Sequence, residues 1–225
     1  PLVSIIIPCY KEGEILRETV KSALDQTYKN FEIIIVKDFS NHNETISVCK
    51  DLEGFKEVTV YYLEAQKYTS GARNYGIKYS NGEIIFTLDG DDLIDKTFLQ
   101  KTVPILLSDD NLGFVYTDMY NIYKNRKELN QKFDFDTSKV LARGYPGCGI
   151  IFRKKHYNMT KGYCEELIGQ EDWEFLVQLC GLNLHGYRVS EPLYLYRRKS
   201  DKNSKHVLST FNYGLDSRYK IINKI

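Results

Sequence analysis

No apolar run in this sequence approaches the roughly 18 residues a membrane-spanning helix needs. The apolar start, Val3 to Ile7, is cut by Pro8 and followed by Lys11 and Glu12. It lacks the basic region and small-residue cleavage site of a secretory leader, so it reads as a strand. An excess of either charge is missing too: 31 Lys and Arg against 30 Asp and Glu leave a net charge of +1. That balance gives no general pull toward nucleic acid and no acidic solubilising surface. Cysteines are few and ill-placed for a metal or disulfide framework. Cys9, Cys49, Cys148, Cys164 and Cys180 are odd in number, widely spaced and without a C-x-x-C pair. Ordinary buried thiols in a reducing cytoplasm fit that spacing. Internal repeats and low-complexity linkers are absent as well. With 225 residues, 42% of them apolar, the chain is large enough for one domain with a substantial core.

What is present is a rhythm. Apolar runs at 3–7, 31–36, 58–63, 82–88 and 113–120 read as strands, the first ones buried on both faces. Between them, 13–26, 43–52, a stretch opening near Thr69 or Ser70, and 95–107 carry helical spacing; Ala72 and Gly76, four apart, leave a small face for close packing. Alternation of this kind predicts a mixed, mostly parallel central sheet with helices on both faces, a Rossmann-like α/β fold. Beyond residue 120 the rhythm breaks. Residues 124–139 read as a polar loop, 148–152, 186–190 and 192–198 as strands, and 171–182 and about 205–223 as helices.

Ligands of open parallel sheets bind beyond the carboxyl ends of the strands. Those ends read Pro8-Cys9-Tyr10-Lys11, Lys37-Asp38-Phe39-Ser40 and Asp89-Gly90-Asp91-Asp92. Asp89 and Asp91, one residue apart around a flexible glycine, can both reach a divalent cation, and oxygen ligands suit Mg²⁺ or Mn²⁺. The plainer reading is an acidic loop at a helix start. Arg73 can reach a phosphate or a carboxylate of this rim, or sit on a solvated helix face. Glu171 and Asp172 open a helical pattern, either as partners of its dipole or as a general base aimed at an acceptor.

Taken in order, these pieces resemble the family 2 glycosyltransferases with the GT-A fold. The resemblance is carried by V-S-I-I-I-P-C-Y-K at 3–11, S-A-L-D-Q-T-Y-K-N-F-E-I-I-I-V at 22–36, G-A-R-N-Y-G-I at 71–77 and G-E-I-I-F-T-L-D-G-D-D at 82–92. It continues with G-C-G-I-I-F-R-K at 147–154, G-Q-E-D-W-E-F at 169–175 and P-L-Y-L-Y-R-R at 192–198. It implies a metal-dependent, inverting enzyme that moves a hexose or N-acetylhexosamine from a UDP-sugar to a hydroxyl of a glycan or lipid-linked glycan. On matching positions it implies a donor pocket formed by Pro8, Tyr10, Asp38, Arg73 and Asp89, with Tyr10 stacked on the base and Asp38 accepting a hydrogen bond from it. Asp91 and Asp89 hold Mn²⁺ or Mg²⁺, Asp172 is the catalytic base with Glu171 beside it, and Trp173 stacks on acceptor sugar. Lys199 stands where the family commonly has histidine and can serve the diphosphate as a fixed cation or simply belong to a mobile basic loop. The resemblance also implies a single domain over 1–225. Residues 1–118 bind the nucleotide sugar, 119–200 the acceptor, and 201–225 form a C-terminal helix. A cytoplasmic place at the inner face of the membrane follows from a lipid-linked acceptor; the basic run Arg197-Arg198-Lys199 with Lys202 and Lys205 permits peripheral contact with anionic lipid.

Two other readings compete. Leu88-Asp89-Gly90-Asp91 looks like the nucleophile motif of aspartyl-phosphate phosphohydrolases, but that family places it near the chain start. A catalytically silent module that binds nucleotide or glycan would be expected to have lost acids, and every expected acid is present.

Overall fold

The computed structural model describes residues 1–143 and 146–198, with the side chain of Arg143 left out. In chain order the elements are β1 (Val3–Cys9), α1 (Ile15–Leu24), β2 (Phe31–Lys37), α2 (Asn43–Leu52), β3 (Val58–Tyr62), α3 (Tyr68–Lys78), β4 (Ile84–Thr87), β5 (Leu93–Ile94) and α4 (Phe98–Ser108). Then follow β6 (Leu112–Ile122), β7 (Lys127–Asn130), α5 (Thr137–Arg143), β8 (Ile151–Arg153), α6 (Lys154–Tyr157), α7 (Glu171–Gly181) and β9 (His185–Arg197). They build one nine-stranded sheet in the order β3-β2-β1-β4-β8-β6-β9-β5, with β7 paired to β6. The strands from β3 to β4 run parallel, as do β6 and β9, while β8, β7 and β5 enter antiparallel.

Strand periodicity explains why both faces are covered. Successive side chains of a strand point to opposite faces. Val3, Ile5 and Ile7 of β1 meet Leu16, Val20, Val48, Cys49, Phe98 and Val103 of α1, α2 and α4 on one side. Ile6, with Ile34 and Val36 of β2, meets Ala72 and Ile77 of α3 and Phe175, Leu176 and Leu179 of α7 on the other. Gly76 lets α3 lie directly on the sheet: a Cβ there would stand 2.6 Å from Cγ2 of Ile6.

Four expectations change at the element level. First, α3 is not capped by Thr69 or Ser70. The Asp38 carboxylate, from the end of β2, accepts the N–H groups of Lys67 (2.7 Å) and Tyr68 (2.9 Å) instead. Second, α4 begins at Phe98 rather than near Asp95, because the Asp95 carboxylate takes the backbone N–H and hydroxyl of Thr97 (2.8 and 2.6 Å), and Leu93–Ile94 pairs with β9 as a short strand. Third, the polar stretch 124–139 contains β7 and the start of α5; β7 is mostly exposed and pairs through its backbone with the overhang of β6, so no apolar alternation announces it. Fourth, 186–190 and 192–198 form one continuous strand, β9, in which Pro192 sits at a register irregularity against β6, a position where proline is tolerated. The helix expected at 205–223 and Lys199 lie outside the described residues.

Candidate active site

The carboxyl ends of β1, β2 and β4 deliver the residues singled out from sequence to one rim. Backbone bonds carry the strand pairing past the strand ends: the N–H of Asp38 donates to Cys9 O (2.7 Å) and that of Leu88 to Ile6 O (3.0 Å). Gly90 lies against the end of β1, where a Cβ would stand 2.9 Å from the carbonyl oxygen of Pro8. This close approach is what draws Asp89 and Asp91 onto the same rim as Tyr10.

At the far side of the rim, Asp38 is 4% exposed. Its carboxylate accepts the N–H groups of Phe39 (3.0 Å), Lys67 and Tyr68. An ionised carboxylate has about four acceptor positions, so it fixes the loop and retains capacity for one more donor. Lys37 points inward, and its ammonium donates to Asp38 O (2.8 Å), Ser40 O (2.9 Å) and Ser40 Oγ (2.7 Å). Ser40 Oγ in turn donates to Tyr10 O (2.7 Å). Lys37 is thus the strut of the loop between Tyr10 and Asp38, and Phe39 is left projecting, 49% exposed. Beside it opens a recess of about 290 Å³ lined by Phe39, Ile46, Lys50, Tyr62 and Leu63.

The centre of the site is Arg73. Its side chain is 1% exposed, and it reaches partners up to 99 positions away along the chain. Nη2 donates to Asp89 Oδ1 (2.6 Å), and Nη1 to Asp172 Oδ1 (2.6 Å) and Glu171 Oε1 (3.3 Å). The Tyr163 ring lies 5.2 Å from the guanidinium carbon. Burial works against the charge of Arg73, but Asp172 and Asp89 more than offset it and hold the guanidinium well above its ordinary range. Arg73 therefore sits behind the rim as the clamp of three carboxylates, where the sequence placed it along the donor pocket.

Glu171 and Asp172 open α7, and the turn before them is wound into the left-handed region at Gly169 (φ 87°) and Gln170 (φ 65°). A non-glycine residue there is strained, and directly after it the first turn of α7 sets Glu171 and Asp172 against Arg73. Burial raises the Asp172 carboxyl to about 7; Arg73 opposes this, and Glu171 and Asp89 add to it. Its side chain is 24% exposed, so it meets solvent while remaining poorly hydrated. Trp173, on the same helix, turns away: it is 4% exposed, and its indole N–H donates to Val140 O (2.6 Å). It packs in the wall behind the site rather than at an open sugar-stacking surface.

One acid to which the sequence assigned no role is central to the loop. Asp92 is fully buried, accepting Tyr194 O–H (2.7 Å) and Arg197 N–H (2.7 Å). Burial, with Asp89 and Asp91 nearby, raises it to about 8. Arg197 also donates to Asp91 O (2.8 Å), so β9 is stitched to the acidic loop. The sequence signal was there, a third acid in D-G-D-D, but its partners lie over 100 residues away. Asp89, Asp92 and Cys148 bring ligand atoms within 4.8 Å of one another. Both Asp92 oxygens are engaged and Asp89 Oδ1 accepts from Arg73, so a hard cation would be met by Asp89 Oδ2, with Asp91 two residues along the same loop. One guanidinium against Asp89, Glu171 and Asp172 leaves the cluster with surplus negative charge, and the residues present fit a divalent ion.

Comparison with known proteins gives the family of the chain. The model of "Glycosyl transferase family 2" matches residues 4–160. The chain is 33% identical over 171 residues to an uncharacterised glycosyltransferase of Rickettsia typhi, covering 68% of this chain and 52% of that protein. It is 33% identical over 207 residues to the Escherichia coli UDP-Glc:alpha-D-GlcNAc-diphosphoundecaprenol beta-1,3-glucosyltransferase WfgD, covering 84% of this chain and 78% of that protein. Against further rickettsial relatives the chain spans only 26% to 30% of their length. Among solved structures, Staphylococcus aureus TarS in complex with UDP-GlcNAc superposes with a TM-score of 0.74 at 20% identity, covering 90% of this chain and 60% of that one. At that identity the likeness concerns the fold.

Proposed function

The chain belongs to glycosyl transferase family 2, and from that premise we propose that it transfers a hexose or N-acetylhexosamine from a UDP-sugar to a hydroxyl of a glycan or lipid-linked glycan, with inversion at the anomeric carbon. The observation that carries this reading is the joining of Asp89 and Asp172 through one buried arginine, which sets an acid of the donor rim beside an acid on the acceptor side. Relatives and fold neighbours point the same way: WfgD is named for a UDP-glucose donor and a lipid diphosphate acceptor, and the TarS complex holds UDP-GlcNAc.

In this reading residues 1–118 hold the donor. The base lies by Pro8 and Tyr10 and uses the remaining acceptor position of Asp38 for the uracil N–H. Asp38 and Asp89 stand at the ends of strands separated by β1, two strand spacings or roughly 10 Å apart, a span suited to a nucleoside diphosphate lying across the strand ends. Asp91 and Asp89 would hold a divalent cation, Mn²⁺ or Mg²⁺, which would supply charge neutralisation at the diphosphate. Residues 119–200 carry the acceptor side and the base. Asp172 Oδ1 is held by Arg73, so Oδ2 is left to take the acceptor proton. The acceptor oxygen forms its bond to the anomeric carbon as the bond from that carbon to the diphosphate oxygen breaks; the diphosphate leaves with the electron pair and the proton passes to Asp172. Glu171 keeps Arg73 shared and so limits how strongly it holds the Asp172 proton off. An acceptor on a lipid carrier places the protein at the inner face of the membrane; among the described residues no helix is long and apolar enough to cross it.

The pH dependence tests the base. With Asp172 raised to about 7, the basic form is lost below that pH, so the transfer rate falls as pH drops through neutrality. A rate profile flat from pH 5 to 8 would remove Asp172 from this role. Proton NMR of the product is expected to show the anomeric configuration opposite to that of the donor.

A further inference from the structure

We infer that the β6–β7 hairpin is a docking element for an anionic lipid bilayer, set on the same edge of the sheet as the active site. The inference deepens the proposed function, since it names the surface by which a lipid-linked acceptor would be met. β4 and β6 each pair antiparallel to β8, so they run in the same direction. Phe86 and Val115 are level, both paired with Ile151. Asp89 follows Phe86 by three residues, whereas β6 continues for seven residues past Val115 to Ile122. The turn after Ile122 therefore projects about 13 Å further along the strand direction than Asp89, taking 3.3 Å per residue.

The tip suits a lipid headgroup region. Residues 123–127 read Tyr-Lys-Asn-Arg-Lys, three cations without an acid, in a chain whose net charge is only +1. Lys124, Arg126 and Lys127 are all exposed. Arg126 lies over the Tyr123 ring (4.4 Å) and Lys127 over Tyr120 (3.6 Å), while Arg198 at the end of β9 lies over Tyr196 (4.5 Å). Glu128 offsets part of this through Arg126 (3.2 Å). Behind the tip, strand register sets Leu93, Leu195, Tyr120 and Leu129 in one row across β5, β9, β6 and β7. None of the four is buried, and Leu129 is 58% exposed. Cations and tyrosines at the water boundary, with aliphatic side chains beside them, are the composition of an interfacial anchor. Complementarity to anionic headgroups selects the bilayer over a neutral partner.

Co-sedimentation of the full chain with phosphatidylcholine vesicles, with and without phosphatidylglycerol, tests this. Binding is expected only to the anionic vesicles and to weaken with salt. Each cation at such a surface contributes about fivefold, so Lys124→Gln, Arg126→Gln and Lys127→Gln together lower the partition constant about a hundredfold. Leu129→Ser is expected to weaken the binding that persists at high salt. The triple variant keeps its folded circular dichroism and its transfer rate on a water-soluble acceptor. Unaltered vesicle binding by the triple variant would overturn the inference and move docking elsewhere, as to the basic stretch 199–225. Absence of wild-type binding would overturn it as well. Loss of transfer to every acceptor, with vesicle binding still dependent on the hairpin, would instead refute only the proposed activity.

Discussion

Asp172→Asn is expected to lower the transfer rate by about two to four orders of magnitude, the span that a positioned general base contributes, while leaving UDP-sugar affinity unchanged. The asparagine still accepts from Arg73 Nη1, so the 2.6 Å contact and the start of α7 persist. What is lost is the lone pair basic enough to take the acceptor proton. Single-turnover transfer with a labelled UDP-sugar measures the chemical step, and titration of the donor measures binding. Equal losses in both would mean that Asp172 holds donor rather than proton, and an unaltered rate would place the base elsewhere. The variant also loses the fall in rate below neutral pH, because the group raised to about 7 no longer titrates.

Arg73→Met is expected to have the largest effect on the fold. The substitution leaves Asp89, Glu171 and Asp172 facing one another without their shared cation. Removing one partner of a buried ion pair costs about 3–5 kcal/mol, and for a domain of this size that lowers the melting temperature by roughly 6–20 °C. Arg73→Lys does not restore it. Separate nitrogens of one planar group reach Asp89 and Asp172, both at 2.6 Å, and an ammonium cannot present that fork. Asp172, already raised to about 7 by burial and then without the opposing guanidinium, answers by taking up a proton, so the destabilisation of Arg73→Met shrinks as pH falls. Thermal melts across pH read this directly; a melting temperature equal to wild type at neutral pH would show that the clamp does not hold the site together.

Which parts were legible in the sequence follows from the range of the forces involved. The parallel half of the sheet announced itself because strands buried on both faces carry unbroken apolar runs, as in Ile5–Ile7 and Ile33–Val36. Asp89 and Asp91 were visible because strand ends and acid spacing are local properties. Arg73 was visible as a candidate but not as a clamp, since its three partners lie 16, 98 and 99 positions away. Asp38 offered a carboxylate at a strand end; that it caps α3 depends on how β3 returns the chain to Lys67. Lys37 was visible only as one residue of a strand end; that its ammonium satisfies the loop from below depends on how Ser40 folds back over it. Trp173 read as a sugar platform, although its spacing to Leu176 already placed it on the buried stripe of α7. β7 gave no signal, because an edge strand held by backbone bonds needs no apolar pattern.

In the proposed function the acids at the end of β4 and the acid at the start of α7, joined through Arg73, divide their work between donor diphosphate and acceptor proton. Isothermal titration of UDP into wild type, Asp91→Asn and Asp172→Asn, with Mn²⁺ and with a chelator, tests it most directly. One UDP per chain is expected to bind in the presence of Mn²⁺, with affinity reduced about tenfold or more by the chelator or by Asp91→Asn and unaltered by Asp172→Asn. UDP binding indifferent to both Mn²⁺ and Asp91 would contradict the account.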